Sequence, residues 1–172
     1  MNATAATVLT VEDNPITRAD LRLVLEDAGF AVCDDAHDGL EAVELARSHA
    51  PDVILLDLNL PHLDGIEATR RILAERAVPI VALTGRSREH AEEALEAGAS
   101  SYVLKPFHGP ALVTAIREAL AIPALDAARA ESRAAIARVL EMVGYPVELA
   151  AEIEEQSNAR GRHWRVSYDA EA

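Results

Sequence analysis

Short apolar runs recur along the first hundred and twenty residues, each followed by a polar loop and an amphipathic stretch. Val8 to Val11, Phe30 to Cys33, Val53 to Leu56, Pro79 to Leu83 and Ser101 to Leu104 have the length and composition of strands. Continuous apolar runs of this kind suit strands buried on both faces, as in a parallel sheet. Between them the spacing turns helical. Leu21, Val24, Leu25 and Ala28 form one apolar face after Pro15, and Gly29 ends it. Asp38 is placed to cap a helix carrying Leu40, Val43 and Ala46, and Asp64-Gly65 precedes the amphipathic run Ile66 to Ala77. Ser87 can cap a helix bearing Ala91, Ala94 and Leu95, terminated by Gly98, and a fifth helix runs through Ala111 to Leu120.

Five repeats of strand then helix, joined by connections short enough for right-handed crossovers, predict an α/β fold with a five-stranded parallel sheet and helices on both faces. In the flavodoxin-like doubly wound order 2-1-3-4-5, the first and third strands are neighbours at the switch point, and the ligand crevice lies outside the carboxyl ends of the strands. The polar residues at those ends therefore decide the chemistry. Glu12 and Asp13 follow the first strand, Asp57 ends the third, Thr84 ends the fourth and Lys105 follows the fifth.

Any one of these residues alone would be an ordinary strand-end acid, cap or surface lysine. Together they bring three carboxylates into one crevice, where their repulsion is relieved by a cation. The donors are hard oxygens with no His or Cys beside them, which points to Mg²⁺ held by few protein ligands and several waters. Such a site suits phosphoryl transfer onto a carboxylate, with the metal and Lys105 neutralising the developing charge and Thr84 donating to a phosphoryl oxygen.

Composition narrows the classes of function. The chain has 172 residues, half of them apolar, and a net charge of −13. That is enough for one full core and a small appendage. The charge opposes nonspecific attraction to nucleic acid or anionic lipid, and the scarcity of aromatic residues argues against base stacking. No apolar run approaches the ~20 residues that span a bilayer, and the N-terminal stretch lacks a signal-peptide profile, so a cytoplasmic protein is expected. The single Cys33 allows no internal disulfide and reads as structural.

The residues at the five strand ends resemble those of the receiver (CheY-like) domain of bacterial two-component response regulators, over about Thr7 to Ala121. Glu12 and Asp13 match the acidic pair and Asp57 the phosphoacceptor. Pro61 and Gly65 match loop positions beyond it, Thr84 the switch hydroxyl, Tyr102 the switch aromatic, and Lys105-Pro106 the lysine and its following proline. The resemblance implies phosphorylation of Asp57 by a histidine kinase or phosphotransfer protein. It implies Mg²⁺ on Asp13, Asp57 and the backbone carbonyl of Asn59, with Glu12 acting through water, and a cis peptide between Lys105 and Pro106. It also implies a protein that is no enzyme toward external substrates. Phosphorylation would draw Thr84 inward and free space for Tyr102, repacking the face made by the fourth helix, fifth strand and fifth helix. Asn59 and Arg86, each two residues beyond a site residue, are implied to tune autodephosphorylation. Gly85 stands where the family more often has alanine, which loosens the switch loop slightly.

Other chemistries find little support. The six histidines show no metal-ligand spacing, and no nucleophilic triad is visible. A metal-dependent phosphatase with an aspartyl nucleophile typically has a second acid two residues later, where this chain has Asn59.

Three segments are expected: a receiver domain over 7–121, a helical hairpin extension over 124–158 and a flexible tail over 159–172. Leu125, Ala128, Ser132, Ile136, Val139 and Val143 form the stripe of the first extension helix. Gly144-Tyr145-Pro146 ends it, and Val147 to Gln156 reads as the second. So thin a hairpin must pack on the receiver, on a second copy or on a partner. The leading expectation is a phosphorylation-controlled switch of protein interaction or dimerisation, acting through the helix 4–strand 5–helix 5 face or the C-terminal helices. The alternative is an RNA-binding, antiterminator-type regulator using the C-terminal helices, with Arg160, Arg162, His163, Trp164 and Arg165 as its basic-aromatic patch. Against it, the segment from Pro123 onward has six Arg against nine Asp and Glu.

Overall fold

The computed structural model describes residues 5–85, 88–122, 153–158 and 161–166. Five strands, β1 (Thr7–Val11), β2 (Ala31–Ala36), β3 (Val53–Asp57), β4 (Ile80–Thr84) and β5 (Ser101–Leu104), form a parallel sheet in the order β2-β1-β3-β4-β5. They alternate with α1 (Pro15–Asp27), α2 (Gly39–His49), α3 (Gly65–Glu75), α4 (Arg88–Glu96) and α5 (residues 109–122). This is the doubly wound flavodoxin-like order expected from the five strand–helix repeats.

Alternation along the strands sorts the core into two layers. Leu9, Ile54, Leu56, Ile80 and Ala82 pack with Ala42, Ala46, Ile66, Ile72 and Ala94 from α2, α3 and α4. Val8, Val53, Leu55, Val81 and Leu83 pack with Leu21 and Leu25 of α1 and with Leu112 and Ile116 of α5. Every residue of β3 and β4 is buried. That double-sided burial is why those strands read as unbroken apolar runs.

Local signals set the helix ends. Asn14 caps α1 by accepting from the Ile16 and Thr17 amides, Asp38 caps α2 by accepting from Glu41, and Asp64 caps α3 by accepting from Glu67. The strand β2 reaches Ala36, beyond the predicted end at Cys33. It is an edge strand, so Asp34 and Asp35 can sit in it half-buried. Asp35 accepts from the buried Thr10 hydroxyl and pairs with Arg22. Burial pushes the Cys33 thiol up from its usual range, in keeping with a structural role.

The C-terminal expectations need correction where the structure describes them. Ile153–Asn158 and Gly161–Val166 are strands, β6 and β7, paired antiparallel with Asn158 opposite Gly161. The predicted helix over 147–156 and the predicted flexible tail over 159–172 are each replaced there by hairpin. Two residues separate the strands and Gly161 opens the second, a hairpin connection that cross-strand pairing rewards over a short, weakly apolar helix. The first extension helix, the rest of the second, and Arg160 lie outside the described residues, as do Arg86 and Ser87. The β6–β7 hairpin belongs to a different unit of the chain from the five-stranded domain, the division falling after Ile122.

Candidate functional site

Parallel pairing delivers the strand ends to one edge. Val11 pairs with Leu56, Asp57 with Leu83 and Thr84 with Leu104, so Glu12, Asp57, Thr84 and Lys105 emerge side by side. Three connections hold the edge rigid: the Glu12 amide donates to the Ala36 carbonyl, Leu58 to Leu83, and Lys105 to the Thr84 carbonyl at 2.8 Å. Carboxylate oxygens of Glu12, Asp13 and Asp57 all lie within 4.8 Å of one another. Glu12 is 1% and Asp57 3% exposed, and Thr84 is fully buried, whereas Asp13 faces solvent.

One ammonium bridges the two buried acids. Lys105 Nζ donates to Glu12 Oε2 at 2.5 Å and to Asp57 Oδ2 at 2.9 Å. Burial raises the Glu12 pKa above 4.5; the Lys105 hydrogen bond opposes the shift and the charge of Asp57 adds to it. For Lys105, burial works to lower the pKa, but the bonds to Glu12 and Asp57 and their charges together carry it above 10.5. The lysine is thus fixed in its charged form by the acids it joins. Asp57 Oδ1 accepts from the Asn59 amide at 3.1 Å, and Glu12 Oε1 from the Asn14 amide at 3.1 Å. Both carboxylates are aimed by backbone.

Glycine lets the loop after β3 lie close to the site. A Cβ on Gly65 would stand 2.3 Å from the Asp57 backbone oxygen and 2.6 Å from Leu58 Cα, so the start of α3 packs directly against the end of β3. The Gly65 amide donates to the Leu58 carbonyl at 3.1 Å. His62, in the left-handed region at φ 62°, places Nδ1 3.0 Å from Asp38 Oδ2 and ties the same loop to the cap of α2. The Lys105-Pro106 peptide is cis, as the resemblance implied. Tyr102 is half-buried on β5, paired with Ala82 and packed against the first core layer.

A cleft of about 650 Å³ opens beside these groups, lined by Asp13, Asn59, Pro61, Arg70, His90 and Glu93 among others. Sequence reading missed Arg18, whose guanidinium donates to the Glu12 carbonyl at 2.7 Å, and missed Arg70, His90 and Glu93 at the cleft. An arginine on an exposed helical turn carries no sequence signal for this placement.

The donor set fits a hard divalent cation. Three carboxylates converge, one of them solvent-facing, with no sulfur or imidazole among them, and the single ammonium leaves the cluster with net negative charge.

Fold and site together define a doubly wound α/β protein with a lysine-bridged acidic crevice at its topological switch point. Residues 8–117 match the response regulator receiver domain, and the chain belongs to that family. It is 43% identical over 114 residues to the transcriptional regulatory protein PdtaR of Mycobacterium tuberculosis, covering 66% of this chain and 56% of that protein. It is 46% identical over 114 residues to the transcriptional regulatory protein CseB of Streptomyces coelicolor, covering 66% of this chain and 48% of that one. The chain therefore matches about half the length of these relatives. Among solved structures, the receiver domain of the sensor histidine kinase PA1611 of Pseudomonas aeruginosa superposes with a TM-score of 0.63 at 36% identity, over 68% of this chain and 98% of that one. That domain holds a magnesium ion in its active-site cleft. Among the described residues, no helix is long and apolar enough to cross a membrane.

Proposed function

We propose that this receiver is a phosphorylation-controlled switch whose phosphoacceptor is Asp57. The observation that carries the reading is the Lys105 bridge between two buried acids, with Asp13 beside them. It is a preorganised cation and carboxylate pair at which a phosphoryl group could be both attached and neutralised.

In the transfer, an Asp57 carboxylate oxygen attacks the phosphorus of a phosphohistidine on a kinase or phosphotransfer protein. The P–N bond breaks, the imidazole leaves with the electron pair, and an acyl phosphate remains on Asp57. The Asn59 amide at Oδ1 and the Lys105 ammonium at Oδ2 orient the carboxylate. As negative charge builds on the transferring group, Lys105 is within reach to follow it. Asp13, Asp57 and the Asn59 carbonyl would hold Mg²⁺, with Glu12 acting through water; when bound, the ion supplies charge neutralisation for the phosphoryl oxygens.

The added group carries close to two negative charges and three acceptor oxygens. Thr84, buried at the end of the neighbouring strand, would donate to it. A shift of Thr84 would leave room for Tyr102, and the repacking would pass to α4, β5 and α5, where a downstream protein or a second copy would bind. Asn59 and Arg86 would tune the lifetime of the acyl phosphate.

The test is treatment with phosphoramidate and Mg²⁺ followed by intact mass and light scattering. One phosphoryl mass on the wild type, absent from Asp57→Ala and suppressed by EDTA, is expected. A wild type that gains no mass, with or without EDTA, would overturn the reading.

A further inference from the structure

Of the three carboxylates at the strand ends, two are aimed by hydrogen bonds. Glu12 is held by the Asn14 amide and Lys105, and Asp57 by the Asn59 amide and Lys105. Asp13 differs: it faces solvent, and its side chain has no hydrogen bond among the described residues. Its direction therefore depends on the backbone of the turn Glu12-Asp13-Asn14, which joins β1 to α1.

That turn is fixed at both ends. The Glu12 amide donates to the Ala36 carbonyl at 3.1 Å, and the Asn14 side chain caps α1 through the Ile16 and Thr17 amides. Between them lies the peptide plane in which the Glu12 carbonyl and the Asp13 amide turn as one rigid unit. Rotation of this plane swings the Asp13 side chain. Arg18 Nη1 donates to the Glu12 carbonyl at 2.7 Å, so a charge-assisted bond holds the plane itself.

Local forces do not favour a cation at this position. Arg18 lies near the N-terminus of α1, where the helix dipole opposes positive charge, and the first turn carries no acid to offset it. Its guanidinium forms no ion pair among the described residues, since the two buried acids go to Lys105. Two effects on a bound cation then have opposite signs. A bare positive charge beside the cluster would repel a divalent ion, so removing it should tighten binding. A contact that aims a ligand should weaken binding when it is lost.

We propose that Arg18 is a positioning residue for the divalent cation: by holding the Glu12 carbonyl it aims the Asp13 carboxylate into the site, and this contribution outweighs the repulsion of its own charge. The inference rests on the acidic cluster being an Mg²⁺ site.

The experiment is an Mg²⁺ titration of the full chain, followed by amide NMR shifts, in wild type, Arg18→Met and Arg18→Lys. Methionine keeps the apolar stem and removes both charge and donors, whereas lysine keeps the charge and one donor. Arg18→Met should raise the dissociation constant about threefold to tenfold, below the ~10–100-fold of groups that bond a metal ligand directly. Arg18→Lys should recover part of the loss. In phosphoramidate reactions the Mg²⁺ concentration giving half-maximal rate should rise by the same factor in Arg18→Met, with the rate at saturating Mg²⁺ within about twofold of wild type. Unchanged or tighter Mg²⁺ binding in Arg18→Met, or a lower saturating rate with the same Mg²⁺ dependence, would overturn the positioning role. A wild type whose amide shifts do not respond to Mg²⁺ would overturn the metal reading itself.

Discussion

Lys105 Nζ lies 2.5 Å from Glu12 Oε2 although ninety-three residues separate them in sequence, and two strands, β3 and β4, stand between the strands they follow. The long side chain reaches across the sheet edge and meets Asp57 on the way. Without it two nearly buried carboxylates would face one another unneutralised. Lys105→Met should therefore destabilise the metal-free protein by about 2 kcal/mol, less than the 3–5 kcal/mol of a fully buried broken pair because the lysine is partly exposed. Urea denaturation in EDTA reads this, and Mg²⁺ should recover part of the loss. An unchanged midpoint would mean that water already screens the acids.

Glu12 gives the fold a pH dependence of definite sign. Its pKa is raised above 4.5, chiefly by burial, so the native state holds the proton more tightly than the unfolded chain. The associated stability is fully present below 4.5 and is lost as pH rises through the folded value. As the pH rises above 4.5, the urea midpoint of wild type in EDTA should fall relative to that of Glu12→Gln, whose amide does not titrate. Lys105 acts at the other end: its contribution is present below 10.5 and is lost as pH rises through its raised value. Parallel pH profiles for wild type and Glu12→Gln would refute the assignment to Glu12.

Two glycines near the site should respond oppositely to the same substitution. In Gly65→Ala the new methyl would meet backbone atoms of Asp57 and Leu58 at 2.3 and 2.6 Å, which no rotamer change relieves. A loss of about 2–3 kcal/mol is expected, with slower phosphorylation because the end of β3 is displaced. In Gly85→Ala the nearest atom is Lys105 Cβ at 4.0 Å, and the change should be neutral or stabilising by up to about 1 kcal/mol. Thermal melts of the two variants side by side make the comparison.

The proposed switch can be separated from the proposed chemistry. Thr84→Ala removes a buried hydroxyl from the end of β4 but leaves Asp57, Asp13 and Lys105 in place. It should still gain phosphoryl mass from phosphoramidate, while the phosphorylation-dependent change in the Tyr102 ring resonances by NMR should be lost. A full response at Tyr102 in Thr84→Ala would remove Thr84 from the relay.

Much of this was legible in the chain because parallel strands buried on both faces leave unbroken apolar runs, and the residue closing each run must emerge at one edge. Val53 to Asp57 and Ile80 to Thr84 needed no tertiary information to be recognised, and neither did the caps Asp38 and Asp64, whose partners lie three residues on. The polar continuation of β2 through Asp34 and Asp35 was hidden, since an edge strand tolerates half-buried acids when Thr10 and Arg22 receive them. The pairing of Ile153–Asn158 with Gly161–Val166 was hidden as well. Cross-strand hydrogen bonds, not local periodicity, decide a hairpin of mixed polarity.

The order of polar residues at the strand ends was thus determined by sequence alone, because local burial and turn chemistry are written in near neighbours. Only the tertiary structure decided that one ammonium serves both Glu12 and Asp57, that Arg18 steadies the Glu12 carbonyl, and that Arg70 and His90 line one cleft. Each of these depends on side chains from elements far apart in sequence, whose meeting is fixed by strand order and helix packing rather than by any local pattern.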